Sequence, residues 1–154
     1  MFTAALILIL STGLFSFYLQ AACQKILRRQ FAHEYWLAVV KTNRLEFPAV
    51  RKALKEHVEY PRIMEALKCD FLALTYLLKY ADKGSQYYSR EAYLLILYFR
   101  VCFASLAMRR WLRLREAPAA LELTAILEYF ANVIGERENN RRSGSGFLPP
   151  LSPA

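Results

Sequence analysis

Residues 2–23 read FTAALILILSTGLFSFYLQAAC and contain no charged side chain. At ~1.5 Å of rise per residue, a helix of this length covers the ~30 Å hydrocarbon core of a bilayer. The run therefore predicts a transmembrane helix. We expect an all-α fold in which a single N-terminal transmembrane helix is followed by a small cytosolic helical bundle.

Three interpretations of this apolar run compete. A cleaved signal peptide carries positive charge before a short apolar core and ends in a small-residue cleavage pattern. Here only the α-amino group precedes the run, and the run is longer than usual. Residues 19–23 faintly resemble a lipoprotein signal, although Gln20 stands where Leu is usual. A buried helix of a soluble protein is the third interpretation, and we favour the uncleaved anchor.

Basic residues at the end of the run predict its orientation. Lys25, Arg28 and Arg29 lie within two turns of the apolar boundary, and the cytoplasmic side collects such residues. We therefore expect the N-terminus outside and the C-terminal domain in the cytoplasm. Cys23 at the boundary is a candidate for palmitoylation from its location alone.

Small residues inside the run suggest a packing surface. Ser11, Gly13 and Ser16 would let another transmembrane helix approach closely. Residues of this kind are also common in spanning helices generally, so a specific contact here is one of two open interpretations.

A second apolar run, residues 92–108, is interrupted by Arg100. A central Arg costs about 2.5–3.5 kcal/mol on membrane insertion. If the first helix ends inside, a second span would also carry the following basic cluster to the wrong side. We therefore expect one span and a central position for this helix in the bundle. The basic cluster would face anionic lipid or an acidic partner through Arg109, Arg110 and Arg113.

Apolar spacing and prolines predict the remaining helices. The anchor helix is expected to continue to Val40, a second helix to run from Pro48 through about Val58, and a third from about 62 to 80. A fourth covers about 90–115, and a fifth begins at Pro118 and is ended by Gly135 and the polar run 136–142. The expected buried faces are Met64, Leu67, Phe71, Leu74 and Leu78 in the third helix, Leu94, Leu97, Tyr98, Val101, Ser105, Met108 and Leu112 in the fourth, and Leu123, Ile126, Leu127, Phe130, Val133 and Ile134 in the fifth.

The fourth helix is also apolar on its opposite side, so it either lies at the centre of the bundle or forms an interface with another protein.

The domain organisation we expect is a transmembrane anchor at 1–23, a helical bundle at 24–137 and a flexible, Pro-rich tail at 138–154. The tail is either a disordered terminus or a docking peptide that binds a partner through Phe147, Leu148 and Leu151.

The net charge of +8 is concentrated near the anchor in sequence. Basic side chains beside a membrane gain about 1 kcal/mol each from an anionic leaflet. The three cysteines form no CxxC or Cys/His cluster, and we expect Cys69 and Cys102 to be small core residues.

Neither histidine has a partner at metal-ligand spacing. His33 lacks the second histidine four residues on, and His57 has no Glu-x-x-His spacing. We therefore expect no metal, no cofactor and no enzymatic activity. An enzyme would need a polar pocket containing His57 or Cys69.

The function we expect is that of a non-catalytic accessory, scaffolding or assembly subunit of a larger membrane complex. It would dock through the transmembrane helix, the bundle and the tail. The alternative is a membrane-tethered adaptor that binds a soluble peptide or nucleic acid through its basic face. Expected partners are other subunits and anionic lipid. Nucleic acid is disfavoured because none of the common binding modules is visible.

Overall fold

A computed structural model describes residues 1–31, 33–54, 60–81, 90–112 and 115–145. This part of the chain forms six helices and no strand, which confirms the all-α class. The helices are α1 (Phe2–Leu27), α2 (Trp36–Asn43), α3 (Phe47–Ala53), α4 (Tyr60–Ala81), α5 (Arg90–Trp111) and α6 (Ala117–Ser145).

The chain divides into two compact units. Unit one comprises residues 1–30 and 88–126, and therefore holds α1, α5 and the first part of α6. Unit two comprises residues 31–87 and 127–154, and holds α2, α3, α4 and the remainder of α6.

Unit one is held together by apolar packing between α1 and α5. Leu19 and Cys23 are the buried residues of α1, and the Cys23 thiol donates to the backbone oxygen of Leu94 at 3.7 Å. The buried side of α5 includes Leu95 and Leu106, both fully enclosed. Burying one such side chain contributes about 1.5–3 kcal/mol.

The core of unit two is built from large apolar side chains on three helices. Its fully buried members are Phe47 on α3, Leu67, Leu74 and Leu78 on α4, and Leu127 and Phe130 on α6. The predicted buried face of the third helix is therefore confirmed at Leu67, Leu74 and Leu78, together with Phe71, whereas Met64 is half-buried.

The prediction that the anchor helix continues to Val40 is wrong. α1 ends at Leu27, and α2 begins only at Trp36. Two tertiary contacts within unit two hold the intervening chain out of the helix. The ring of Phe31 packs edge-to-face on Tyr129 at 5.5 Å, and the Trp36 N–H donates to the side chain of Asn132. These contacts override the local helical pattern.

The helix starts marked by proline are confirmed. Pro48 lies in the first turn of α3, and Pro61 and Pro118 are the second residues of α4 and α6. α2 ends at Asn43, where Arg44 adopts a left-handed conformation with φ of 52°. α3 stops at Ala53, earlier than predicted, and Val58 lies outside the described residues.

The predicted buried face of the fifth helix is confirmed at Leu123, Ile126, Leu127, Phe130 and Ile134, whereas the predicted role of the fourth helix needs correction. Of the stripe predicted to be buried in α5, only Tyr98 is buried, and the packed side is the opposite one, which includes Leu95, Phe99 and Leu106. α6, not α5, buries side chains around almost its whole circumference from Ala119 to Ile134: Ala119, Ala120, Leu123, Thr124, Ile126, Leu127, Tyr129, Phe130, Ala131, Asn132 and Ile134.

The predicted end of the fifth helix at Gly135 and the polar run 136–142 is also wrong, since α6 continues to Ser145. Residues 138–145, predicted to belong to the flexible tail, are therefore helical. A Cβ atom at Gly135 would lie 2.5 Å from the Cβ of Tyr35. The glycine is therefore a close-approach position, where its missing side chain lets Tyr35 contact the α6 backbone.

Candidate functional site

The outstanding surface of the described chain is the first two thirds of α1. Every residue from 2 to 18 is exposed, although the segment is apolar. Its exposed large side chains are Phe2, Leu6, Ile7, Leu8, Ile9, Leu10, Leu14, Phe15, Phe17 and Tyr18. A patch of this size and continuity in water would be an aggregation site, so it marks a membrane or partner surface.

The exposed segment ends where packing against the rest of unit one begins. Leu19 and Cys23 are buried, and Ala22, Ile26 and Leu27 are half-buried. Residues 2–18 therefore form about 25 Å of helix with no protein cover, which is close to the ~30 Å of a bilayer core. The burial of Cys23 also removes it as an accessible site for palmitoylation.

Three described helices are long and apolar enough to cross a membrane. They are α1, α5 and residues Ala117–Gly144 of α6. They differ in how much of the apolar segment is already covered by protein: 6% in α1, 33% in α5 and 61% in α6. The chain is therefore an all-α protein with several candidate spans, of which α1 has by far the greatest need for a lipid environment.

Basic residues flank both apolar helices of unit one. Lys25, Arg28 and Arg29 are exposed at the end of α1. Arg110 is exposed at the end of α5, whereas Arg109 is half-buried and donates to the backbone oxygen of Arg115 at 3.4 Å. The remaining predicted member of these flanks, Arg113, lies outside the described residues.

The small residues of α1 are exposed as well. At about 100° per residue, Gly13 and Ser16 lie about 60° apart on the helix, whereas Ser11 lies about 140° from Ser16. A close helix contact would therefore involve Gly13 and Ser16, and nothing lies within 4 Å of a Cβ at Gly13.

The predicted docking residues Phe147, Leu148 and Leu151 lie outside the described residues.

A polar contact inside unit one was not predicted. The Tyr98 hydroxyl donates to the Glu122 carboxylate at 3.1 Å, and the Cys102 thiol donates to the same oxygen at 3.7 Å. Cys102 is buried, as predicted. The contact satisfies two donors on the packed side of α5. In the sequence, the only indication of it is that a tyrosine and a cysteine stand four residues apart on that helix.

In unit two, the two short helices are capped by side chains from the long ones. The Asp70 carboxylate on α4 accepts from the Phe47 and Glu46 backbone N–H groups at 2.6 and 2.8 Å. The Asn132 side-chain oxygen on α6 accepts from Trp36 N–H at 2.9 Å. Each satisfies donors that a helix start leaves unpaired. In the sequence, the indication of these two caps is a polar residue on an otherwise apolar helix face.

Burial also affects the acidity of the Asp70 carboxyl. Removal from water raises the pKa of Asp70 above its ordinary value, while the two backbone donors, which favour the ionised form, act in the opposite direction. Nearby Glu46 raises the pKa further. The group is thus a buried carboxyl with a structural role.

Unit two also contains a cleft of about 330 Å³ beside Gly135, lined by Tyr35, Asn43, Leu77 and the ion-paired Glu138 and Arg142. A neighbouring cleft of about 530 Å³ shares Leu77, Glu138 and Arg142 and adds Tyr80. The described lining of both clefts includes no cysteine, histidine, serine or aspartate. These clefts can accommodate a small molecule, and the hydroxyl groups in their described lining are those of Tyr35, Thr42 and Tyr80.

The other candidates for chemistry lie apart from the clefts. Cys69 is exposed on α4, so its predicted place in the core is wrong. His33 is exposed and packs edge-to-face against Tyr35 at 5.8 Å, and His57 lies outside the described residues. Within the described part of the chain, no three His, Cys, Asp or Glu side chains are grouped to hold a metal ion.

Comparison with protein-family models, with curated proteins and with solved structures found no match to this chain.

Proposed function

We propose that this chain is a single-pass membrane protein that serves as a non-catalytic accessory or assembly subunit of a larger membrane complex. In this proposal α1 crosses the bilayer with its N-terminal end outside, and the rest of the chain lies in the cytoplasm. The observation that carries the proposal is the continuous exposure of apolar residues 2–18. Lipid or another transmembrane helix covers such a surface at little cost.

The other two candidate spans, α5 and α6, are less suited than α1 to crossing a membrane. α5 has Arg100 exposed near its middle and arginines at both ends, including Arg90 and Arg110. A central Arg costs about 2.5–3.5 kcal/mol on insertion, and a basic flank on each side gives no preferred orientation. The apolar segment of α6 is largely enclosed by protein already.

The orientation is supported by the flank of α1. Lys25, Arg28 and Arg29 are exposed directly after the apolar segment. Cytoplasmic flanks are enriched in such residues, and this supports the proposal that the chain after α1 lies inside.

The subunit role is supported by apolar surface outside α1. Leu72, Tyr76 and Tyr80 are exposed at spacings of four on α4, and the rings of Tyr76 and Tyr80 lie 4.4 Å apart. Aromatic and aliphatic side chains in one stripe are typical of a protein interface. The clefts of unit two have no cysteine, histidine, serine or aspartate in their described lining, and we take this to favour binding over catalysis.

The test is purification of the tagged full-length chain from its native membrane in detergent, at low and at high salt. A subunit held by apolar packing should retain partners at constant stoichiometry at both salt concentrations, since salt screens only charged contacts. Tyr76→Asp should reduce partner recovery, and Glu65→Lys, on an exposed position of the same helix, should not. Recovery of the chain without partners at both salt concentrations would overturn the subunit role.

Orientation is tested separately in intact cells. A C-terminal tag should resist added protease until the membrane is permeabilised, whereas an N-terminal tag should be removed at once. The reverse pattern would contradict the proposed topology. Deleting residues 147–154 in the purification tests the tail, because unchanged partner recovery would exclude it as a docking element.

A further inference from the structure

We propose that the exposed face of α5 is a second membrane-contacting surface, which lies in the headgroup region of an anionic cytoplasmic leaflet. The proposal rests on the proposed function, because the spanning helix α1 is what brings α5 to the bilayer. It adds that lipid, and not another protein, covers the apolar side of α5 that the chain leaves open.

The first observation is that α5 has two apolar sides, and only one is packed. At about 100° per residue the buried side chains fall within an arc of about 120°; they are Ala92, Leu95, Tyr98, Phe99, Cys102 and Leu106. A second arc of about the same width carries exposed apolar side chains, namely Tyr93, Val101, Met108, Trp111 and Leu112.

The second observation is the kind of residue on the exposed arc. On this arc Trp111 is 84% exposed and Met108 61% exposed, near the end of the helix. Tyr93 lies on the same arc near the start of the helix, about one turn from the exposed Arg90. Aromatic rings next to basic side chains are typical of the membrane–water interface, where the ring lies at headgroup level and the charge meets phosphate.

Arginines on this side also indicate the charge of the surface. Arg90 is exposed within the apolar arc, and Arg100 is exposed about 20° outside its edge. In the bilayer centre Arg100 would be costly, but at the interface its long stem can lie on lipid while the guanidinium stays in the headgroup region. Each such side chain gains about 1 kcal/mol near an anionic leaflet.

The third observation is continuity with the lipid-facing part of α1. Cys23 contacts Leu94 of α5, and it lies five residues beyond Tyr18, the last residue of the exposed segment. Five helical residues correspond to about 7.5 Å. The contact point on α5 is therefore within about one and a half turns of where α1 leaves the hydrocarbon, at the depth of the headgroups.

The experiment uses the fluorescence of Trp111, because the chain contains only one other tryptophan, Trp36. Full-length protein is reconstituted into vesicles of phosphatidylcholine and phosphatidylglycerol that carry bromine, a tryptophan quencher, at defined acyl-chain depths. The signal of Trp111 is the difference between the wild type and Trp111→Phe. That variant alters an exposed side chain and leaves Trp36 in place. The Trp111→Phe protein reports Trp36 alone and serves as the control.

We expect Trp111 emission to be blue-shifted and quenched several-fold more than that of Trp36, most strongly by bromines close to the headgroups. The effect should weaken in vesicles of phosphatidylcholine alone. If the protein floats with vesicles but Trp111 is unquenched, the inference is overturned while the α1 span stands. Strongest quenching by bromines at the chain ends would overturn it in favour of a second span. Failure to float with vesicles would overturn the proposed function itself.

Discussion

The Oδ2 atom of Asp70 lies 2.6 Å from the backbone nitrogen of Phe47, so a side chain from α4 caps the start of α3. The Glu46 N–H donates to the same atom at 2.8 Å. α3 has no side-chain cap of its own and spans only seven residues. A helix that short is not stable alone, and its position depends on this buried carboxyl and on the burial of Phe47.

Replacing Asp70 by Ala should therefore destabilise unit two. Two donors lose their acceptor, and Phe47 N–H is buried with it, so we expect the free energy of unfolding to fall by about 1–3 kcal/mol. The measurement is denaturant unfolding of the detergent-solubilised chain, followed by circular dichroism. Glu65→Ala, on an exposed position of the same helix, is the matched control and should change it little. Equal effects of the two variants would contradict the capping role.

The raised pKa of Asp70 predicts a pH dependence with a definite sign. Because burial raises its pKa above the ordinary 3.8, the folded state binds this proton more tightly than the unfolded state does. The contribution of the group to stability is then greatest below pH 3.8 and falls as the pH rises towards the folded-state pKa.

The check compares the wild type with Asp70→Asn, which cannot titrate. The free energy of unfolding of the wild type relative to Asp70→Asn should decrease as the pH rises from 3.8, and then become constant. If this difference instead grows with pH, the backbone donors outweigh burial and the pKa is lowered.

The presence of each helix could be predicted from the sequence more reliably than the residue at which it ends. Pro48, Pro61 and Pro118 mark helix starts through their own covalent geometry, which acts locally. The break after Leu27 could not be predicted, because it depends on Phe31 and Trp36 finding partners about a hundred residues later in the chain.

The surface of α5 shows a second limit of sequence reasoning. Periodicity indicates that both sides of the helix are apolar, but not which side the protein covers. That choice depends on the shapes of α1 and α6, so Met108 and Leu112, expected in the core, are exposed. The apolar segment of α1 could be predicted because its length and its lack of charge are sufficient.

Replacing Gly135 by Ala should destabilise unit two, although Ala favours helix by about 0.5–1 kcal/mol over Gly. The new Cβ would lie 2.5 Å from Tyr35 Cβ, 3.2 Å from Tyr35 O and 3.3 Å from Val39 Cγ2. Because backbone and Cβ atoms cannot swing aside, we expect a net loss of about 1–3 kcal/mol in the free energy of unfolding. Denaturant unfolding measures it.

Gly144→Ala is the control in the same helix, since nothing lies within 4 Å of a Cβ there. It should leave stability unchanged or raise it by up to about 1 kcal/mol. A stabilised Gly135→Ala protein would show that Tyr35 does not need to approach α6 so closely.

Replacing Leu10 by Arg should impair membrane insertion of α1. Leu10 lies at the middle of the exposed segment 2–18 and is 59% exposed, so the substitution disturbs no packing within the chain. A central Arg costs about 2.5–3.5 kcal/mol on insertion. We expect the fraction of the protein that resists alkaline extraction from membranes to fall sharply. Leu37→Arg is the matched control, because Leu37 is 54% exposed on α2 of unit two and should not affect extraction. If Leu37→Arg releases the protein as readily as Leu10→Arg, or if neither does, the exposed segment of α1 is not the part of this chain that lipid holds.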